Sequence, residues 1–143
     1  MATFSDEQRK FLEELRGAAM ITLRRDGTPH AVRIGVALVD GKLWSSGVPS
    51  RVRTRHLRRD PRATVFVWSP QYGYLTIEST VRILDGPEAP AQSVRLFRTM
   101  QKRPDGPMLW NGQEIEEDAF VRLMVDEQRL IYEFEPLRVY GMP

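Results

Sequence analysis

The chain is predicted to be an α+β protein, a small and mainly antiparallel β-barrel with flanking helices. Three observations predict it. Segments of alternating apolar and polar residues meet at Asp26-Gly27 and Asp40-Gly41, dipeptides that make tight turns because Gly accepts the positive φ such turns demand. The segment A-T-V-F-V-W-S is apolar on both faces, with Ala63, Val65 and Val67 against Phe66 and Trp68. In a chain of 143 residues that calls for closure into a barrel or for cover from a second subunit. Helix-like segments are inserted between the hairpins rather than alternating regularly with strands.

Taken in order, Ser5-Asp6-Glu7-Gln8 fits a capping box, and Phe11, Leu12 and Leu15 give the first helix one apolar stripe that Gly17 closes. Residues 18–24 alternate as a strand, turn at Asp26-Gly27 and continue into a strand over about 29–39. That strand has Val32, Ile34, Val36 and Leu38 on one face and the mostly small Ala31, Arg33, Gly35 and Ala37 on the other. Small residues on a strand face mean close packing or room for a flat ligand. Asp40-Gly41 leads into 42–46, and a helix follows before the strand at 63–69. Residues 74–84 alternate with Leu75, Ile77, Val81 and Ile83 inward and Thr76, Glu78, Thr80 and Arg82 outward. A helix is expected over 90–102 with Val94, Phe97 and Met100, a loop over 104–112, a helix over about 114–126, and a last strand with Leu130, Tyr132 and Phe134 on one face. There is no internal repeat or linker, and the length suits one domain over 1–143, since domains typically run ~100–150 residues.

The chemistry concentrates between Arg51 and Arg62. That window holds Arg51, Arg53, Arg55, Arg58, Arg59 and Arg62 against one acid, Asp60, while the whole chain is only +2, which leaves −3 outside a window of +5. Ser50 stands where it can cap a helix and Pro61 where it can end one. Open amides beside guanidinium forks favour a phosphate or a carboxylate. The preceding K-L-W-S-S strand brings Ser45 and Ser46 to the same place. Arg58, Arg59 and Arg62 are equally readable as a solvated face.

Composition excludes other classes. With no cysteine there is no disulfide framework, thiolate nucleophile or Cys-based zinc site. His30 and His56 have no H-E-x-x-H spacing, so no metal site is expected. No apolar run approaches the ~20 residues of a membrane helix, the N-terminus lacks signal-peptide regions, and the cytoplasm is the expected location. Modest net charge and the lack of aromatics among the arginines argue against nucleic acid. No nucleophile–base or paired-carboxylate site is legible, so no catalytic residue is assigned, which suits an enzyme whose cofactor carries the chemistry.

Over nearly its whole length the chain resembles the pyridoxamine-phosphate-oxidase-like split β-barrels, in particular the branch of flavin and deazaflavin oxidoreductases common in actinobacteria. The resemblance is carried by A-A-M-I-T-L-R-R-D-G-T-P-H-A-V-R-I (18–34), D-G-K-L-W-S-S (40–46), R-V-R-T-R-H-L-R-R-D-P-R-A-T-V (51–65), Y-L-T-I-E-S-T-V-R-I (74–83) and L-R-V-Y-G (137–141), with H-L-R-R-D-P-R the most specific. It implies a homodimer with the cofactor ring in a groove between two barrels. By position it implies Ser45 and Ser46 as phosphate-binding hydroxyls and Arg51, Arg53 and Arg55 as phosphate-binding cations. Arg33, with Ile34 and Gly35 beside it, would supply a second-strand contact, and Trp68, Ser69 and Tyr72 contacts to ring and tail. His56 stands where the family has Asn, a departure that bears on any hydrogen bond made there. The implied activity is hydride transfer between coenzyme F420 and an unsaturated or quinone-like small molecule. Flavin mononucleotide (FMN) is the alternative cofactor, and a non-catalytic flavin or deazaflavin carrier the alternative role. His56 is expected to be structural and His30 at the surface. Tyr72 and Tyr74 are open between donors to substrate and barrel-edge aromatics, and Trp110 between a lid, a dimer contact and a satellite-core anchor.

Overall fold

In this computed structural model, which describes residues 3–14 and 17–143, the order of elements is α1 (Asp6–Glu13), β1 (Gly17–Leu23), β2 (Pro29–Ile34), β3 (Ala37–Val39), β4 (Lys42–Gly47), α2 (Val52–Arg59), β5 (Arg62–Trp68), β6 (Tyr74–Leu84), α3 (Ala89–Gln101), β7 (Met108–Trp110), β8 (Gln113–Ile115), α4 (Glu117–Asp126) and β9 (Leu130–Met142). Seven strands form one antiparallel sheet in the order β2-β1-β5-β6-β9-β4-β3. The two edges, β2 and β3, are consecutive in the chain yet do not pair, so the sheet curls into a split barrel without closing.

The split corrects the single strand expected over 29–39. Gly35 and Val36 interrupt it and carry the chain from one edge to the other. Gly35 fits there because a Cβ would crowd the Met100 sulfur at 3.2 Å, and Ser45 Oγ donates to its carbonyl at 2.7 Å. The expected face survives the break: Val32, Ile34, Val36 and Leu38 all pack on the main core, whereas Ala37 and Val39 meet a second cluster beneath α3. The main core draws alternate residues from successive strands, including Met20, Leu43, Val65, Val67, Leu75, Ile77, Leu130, Tyr132 and Phe134.

Turn chemistry explains the hairpins. Gly27 sits at φ 87°, with Asp26 Oδ1 accepting from the Thr28 amide, and Asp40-Gly41 lies at φ 51° and 76°. The N-terminal capping box forms between Ser5 and Gln8. Gly17 opens β1 rather than closing α1: it pairs with Trp68, whose indole would lie 2.6 Å from a Cβ. Leu15 falls outside the described residues. The 104–112 stretch is not a loop throughout. Met108–Trp110 pairs with Gln113–Ile115 across Asn111-Gly112, both at positive φ, so α4 starts only at Glu117. In α3 the deepest positions are Ala89, Ser93 and Leu96, with Val94, Phe97 and Met100 half-buried around them. Trp110 is a satellite-core anchor, its ring against Phe97 and Phe120 at 5.7 and 5.8 Å. Thr76, though on the outward face of β6, is buried between its register partners Phe66 and Tyr140.

Candidate functional site

The arginine run is helical as expected, but what seats α2 is different. Ser50 makes no cap: the N-cap is Arg51, without a side-chain bond. The turn closes instead through the Arg51 amide on the Val48 carbonyl, and through the Thr54 and Arg55 amides on the Arg51 carbonyl, at 3.1–3.2 Å. Thr54 Oγ1 also donates to the Val48 carbonyl at 2.7 Å and is hydrogen-bonded to the hydroxyl of the fully buried Tyr132. Gly47 ends β4 beneath that phenol, where any Cβ would collide with the Tyr132 hydroxyl. Of the first-turn amides, those of Val52 and Arg53 take no backbone partner among the described residues.

The six arginines separate by partner. Arg58 pairs with Asp85 at 2.8 Å, Arg59 donates to the Leu23 carbonyl, and Arg62 grips Asp60 through two bonds of 3.0 and 2.8 Å. That grip, first of all the Arg62 side-chain hydrogen bond, lowers the Asp60 carboxyl to about 2. Arg51, Arg53 and Arg55, by contrast, have no acid partner among the described residues. Arg53 is half-buried, its guanidinium 5.8 Å from the Tyr132 ring centroid, and its Nε is buried without a hydrogen-bond partner. Ser46 Oγ is in the same condition. A buried polar atom left unsatisfied costs ~1–3 kcal/mol, a cost that an acceptor reaching Arg53 Nε would relieve.

The two serines do not converge, because consecutive strand residues point to opposite faces. Ser45 faces inward and is used up on the Gly35 carbonyl; Ser46 alone is open. Ile34 is a core side chain, so a ligand contact there falls to its backbone or to its neighbours, the exposed Arg33 and Gly35. Trp68, Ser69 and Tyr72 follow the far end of β5, about 20 Å from Arg62 at roughly 3.3 Å per residue. Among the described residues, no hydrogen bond or ring contact joins them to α2. Trp68 continues an exposed aromatic row, stacked at 6.0 Å on Phe66, which stacks at 5.5 Å on Tyr74. Ser69 is buried with its amide on the Gly73 carbonyl at 2.9 Å, and Tyr72 is 92% exposed. One register rung of this outer face reads Arg33, Ala19, Phe66, Thr76, Tyr140.

A cavity of about 130 Å³ opens at the split beside Gly35, Val36, Leu38 and Met100. It is below the ~300–1,000 Å³ usual for ligand pockets. The roomier grooves, of about 430 and 540 Å³, contain none of the site residues read from the sequence. Sequence reasoning missed Thr54 and Tyr132, which place Arg53, and Thr22, whose hydroxyl meets His56 Nδ1 at 2.8 Å. Tyr132 reads as an ordinary core aromatic, and nothing local announces its hydroxyl's partner. His30 is not simply at the surface; its ring meets His56 edge-on at 5.1 Å. Among the described residues no group of three or more metal-ligating side chains occurs, and no helix is long and apolar enough to cross a membrane.

An open antiparallel split barrel with an arginine-rich helix following its fourth strand defines the class of fold. Residues 4–110 match the profile of the pyridoxamine 5'-phosphate oxidase family, and the chain belongs to that family. Solved structures agree on the fold. A conserved hypothetical protein, Rv2991 of Mycobacterium tuberculosis, is 20% identical, with TM-score 0.76 over 99% of this chain and 86% of its own. A structure named F420 reductase is 21% identical, with TM-score 0.67 over 96% and 98%. A heme-binding protein of Mycobacterium smegmatis is 15% identical, with TM-score 0.66 over 99% of this chain and 55% of its own.

Proposed function

We propose that this protein is a coenzyme F420-dependent oxidoreductase that works as a homodimer on an unsaturated or quinone-like small molecule. The observation that carries the reading is the strand–helix junction. There, Arg51, Arg53 and Arg55 have no acid partner among the described residues, and Arg53 Nε is buried without a hydrogen-bond partner. Those residues fit an anionic cofactor tail, and Arg53 is pre-set for it by Tyr132. When bound, the deazaflavin supplies two-electron hydride transfer. The chain's part is to hold the tail through Arg51, Arg53, Arg55 and Ser46, and to flank the ring with Trp68, Ser69 and Tyr72. The second set lies at the other end of β5 on an exposed aromatic face, an arrangement that favours a groove completed by a second copy. Three free arginines exceed what a single phosphate needs, and the F420 tail carries a phosphodiester and several carboxylates. The similarity to a protein named F420 reductase supports the same choice.

FMN would use the same junction with one phosphate, and family membership keeps it as the second reading. Fluorescence-quenching titrations with each cofactor at matched salt decide between them. Tighter binding of F420 is expected, and equal or tighter binding of FMN would reverse the assignment. Bound F420 with no turnover of any quinone or enone acceptor would instead indicate a carrier.

A further inference from the structure

α2 is seated by polar contacts. Its buried side chains are Thr54, His56 and Leu57, so only one of its eight residues offers a buried apolar anchor. Thr54 is bonded to Tyr132 and to the Val48 carbonyl; His56 is bonded through Nδ1 to Thr22 of β1 at 2.8 Å. The ring of His56 also meets that of His30 from β2. These are the only two histidines in the chain, 26 residues apart in sequence and brought together under one helix. His30 Nδ1 is itself buried without a partner.

The surroundings of His56 are one-sided. The charged and titratable groups that act on it are His30 of β2, Arg24 just beyond β1, and Arg59 and Arg55 of α2 itself; no carboxylate is among them. We propose that His56 is a positioning residue, a neutral latch that seats α2 and with it Arg53 and Arg55, and that acid releases it. Burial, and then the nearby His30 and arginine charges, hold the His56 imidazole below its ordinary 6.5. An undocked His56 takes its proton at the ordinary value. Docking is therefore at full strength above 6.5 and weakens as pH falls from there toward the lower value of the docked state. The seating stands on this geometry and its release on the burial and one-sided charge around His56; the effect on cofactor binding rests on the reading of α2 as the phosphate site.

The test is amide hydrogen exchange on the ligand-free full chain between about pH 7.5 and pH 5, corrected for intrinsic exchange rates. The opening constant of the α2 amides is expected to rise about threefold or more on acidification. In His56→Asn, which cannot take the proton, it stays flat. In His30→Asn it rises less than in the wild type, since burial, the larger cause, remains. An equal rise in wild type and His56→Asn, or no rise in wild type, overturns the latch. Should His56→Asn not fold, a wild-type rise no larger in α2 than in α3 and α4 overturns the latch.

A second arm titrates F420 at both pH values. Comparing each variant with the wild type at the same pH cancels any titration of the cofactor. A wild-type affinity that falls with acid relative to His56→Asn supports the positioning role, and parallel affinities overturn it. If F420 binds at neither pH while exchange still responds, the function reading fails and the latch remains.

Discussion

Arg53→Ala tests the site most directly. Arg53 is the one arginine of the run with a buried, unpartnered nitrogen, and its guanidinium is steadied against Tyr132. A charge-assisted hydrogen bond to a shielded phosphate is worth about 1.5–3 kcal/mol. At about 1.4 kcal/mol per factor of ten, losing it should weaken cofactor binding by roughly tenfold to a hundredfold. Arg53→Lys should recover part of this, since Lys keeps the charge but not the planar fork. Arg59→Ala is the control: Arg59 lies two turns along the same helix but spends itself on the Leu23 carbonyl. Its loss should change affinity by less than about threefold, through a weak salt-dependent term. The assay is fluorescence quenching of F420 at low and high salt, with thermal unfolding to confirm that each variant is folded. If Arg53→Ala and Arg59→Ala cost the same and salt abolishes both effects, the junction is a diffuse basic patch and the site assignment fails.

Three other outcomes follow from the same geometry. The exposed Phe66 row should be covered in a homodimer burying more than ~2,000 Å², so the wild type should scatter light as a dimer at micromolar concentration and Phe66→Glu as a monomer; a monomeric wild type removes the shared groove. Gly47→Ala forces the Tyr132 hydroxyl away from Thr54 and should cost about 1–3 kcal/mol in chemical denaturation, and an unchanged midpoint would mean the Gly47–Tyr132 contact is not close. Asp60, ordinarily near 3.8, titrates at about 2 because Arg62 stabilises its charged form. Its contribution is thus fully present above the ordinary value and is lost as pH falls from there through about 2. The stability difference between wild type and Asp60→Asn should shrink across that window, and a difference independent of pH would contradict the pairing.

Short-range energetics were legible in the residues themselves. The Ser5–Gln8 box, the Asp26-Gly27 and Asp40-Gly41 turns, the alternation of β6 and the shared face of Leu130, Tyr132 and Phe134 in β9 each depend on residues a few positions apart, so local sequence determined them. The same holds for the bounds of the arginine helix, between the Gly47–Pro49 breakers and Pro61. Local reading faltered where a neighbour distant in sequence decides. The break at Gly35-Val36 exists because β2 and β3 belong to opposite edges of a sheet whose middle strands come later in the chain. Ser45 and Ser46 are alike in sequence, yet strand parity gives one to the Gly35 carbonyl and leaves the other open. The run of arginines reads as uniform charge. Only the fold brings Asp85 to Arg58 and Leu23 to Arg59, 27 and 36 residues away, and leaves Arg51, Arg53 and Arg55 without an acid among the described residues. The seating of α2 on Tyr132, and of His56 on Thr22 and His30, was likewise decided by packing, because a hydrogen bond needs a partner within about 3 Å and the chain alone does not say which residue that will be.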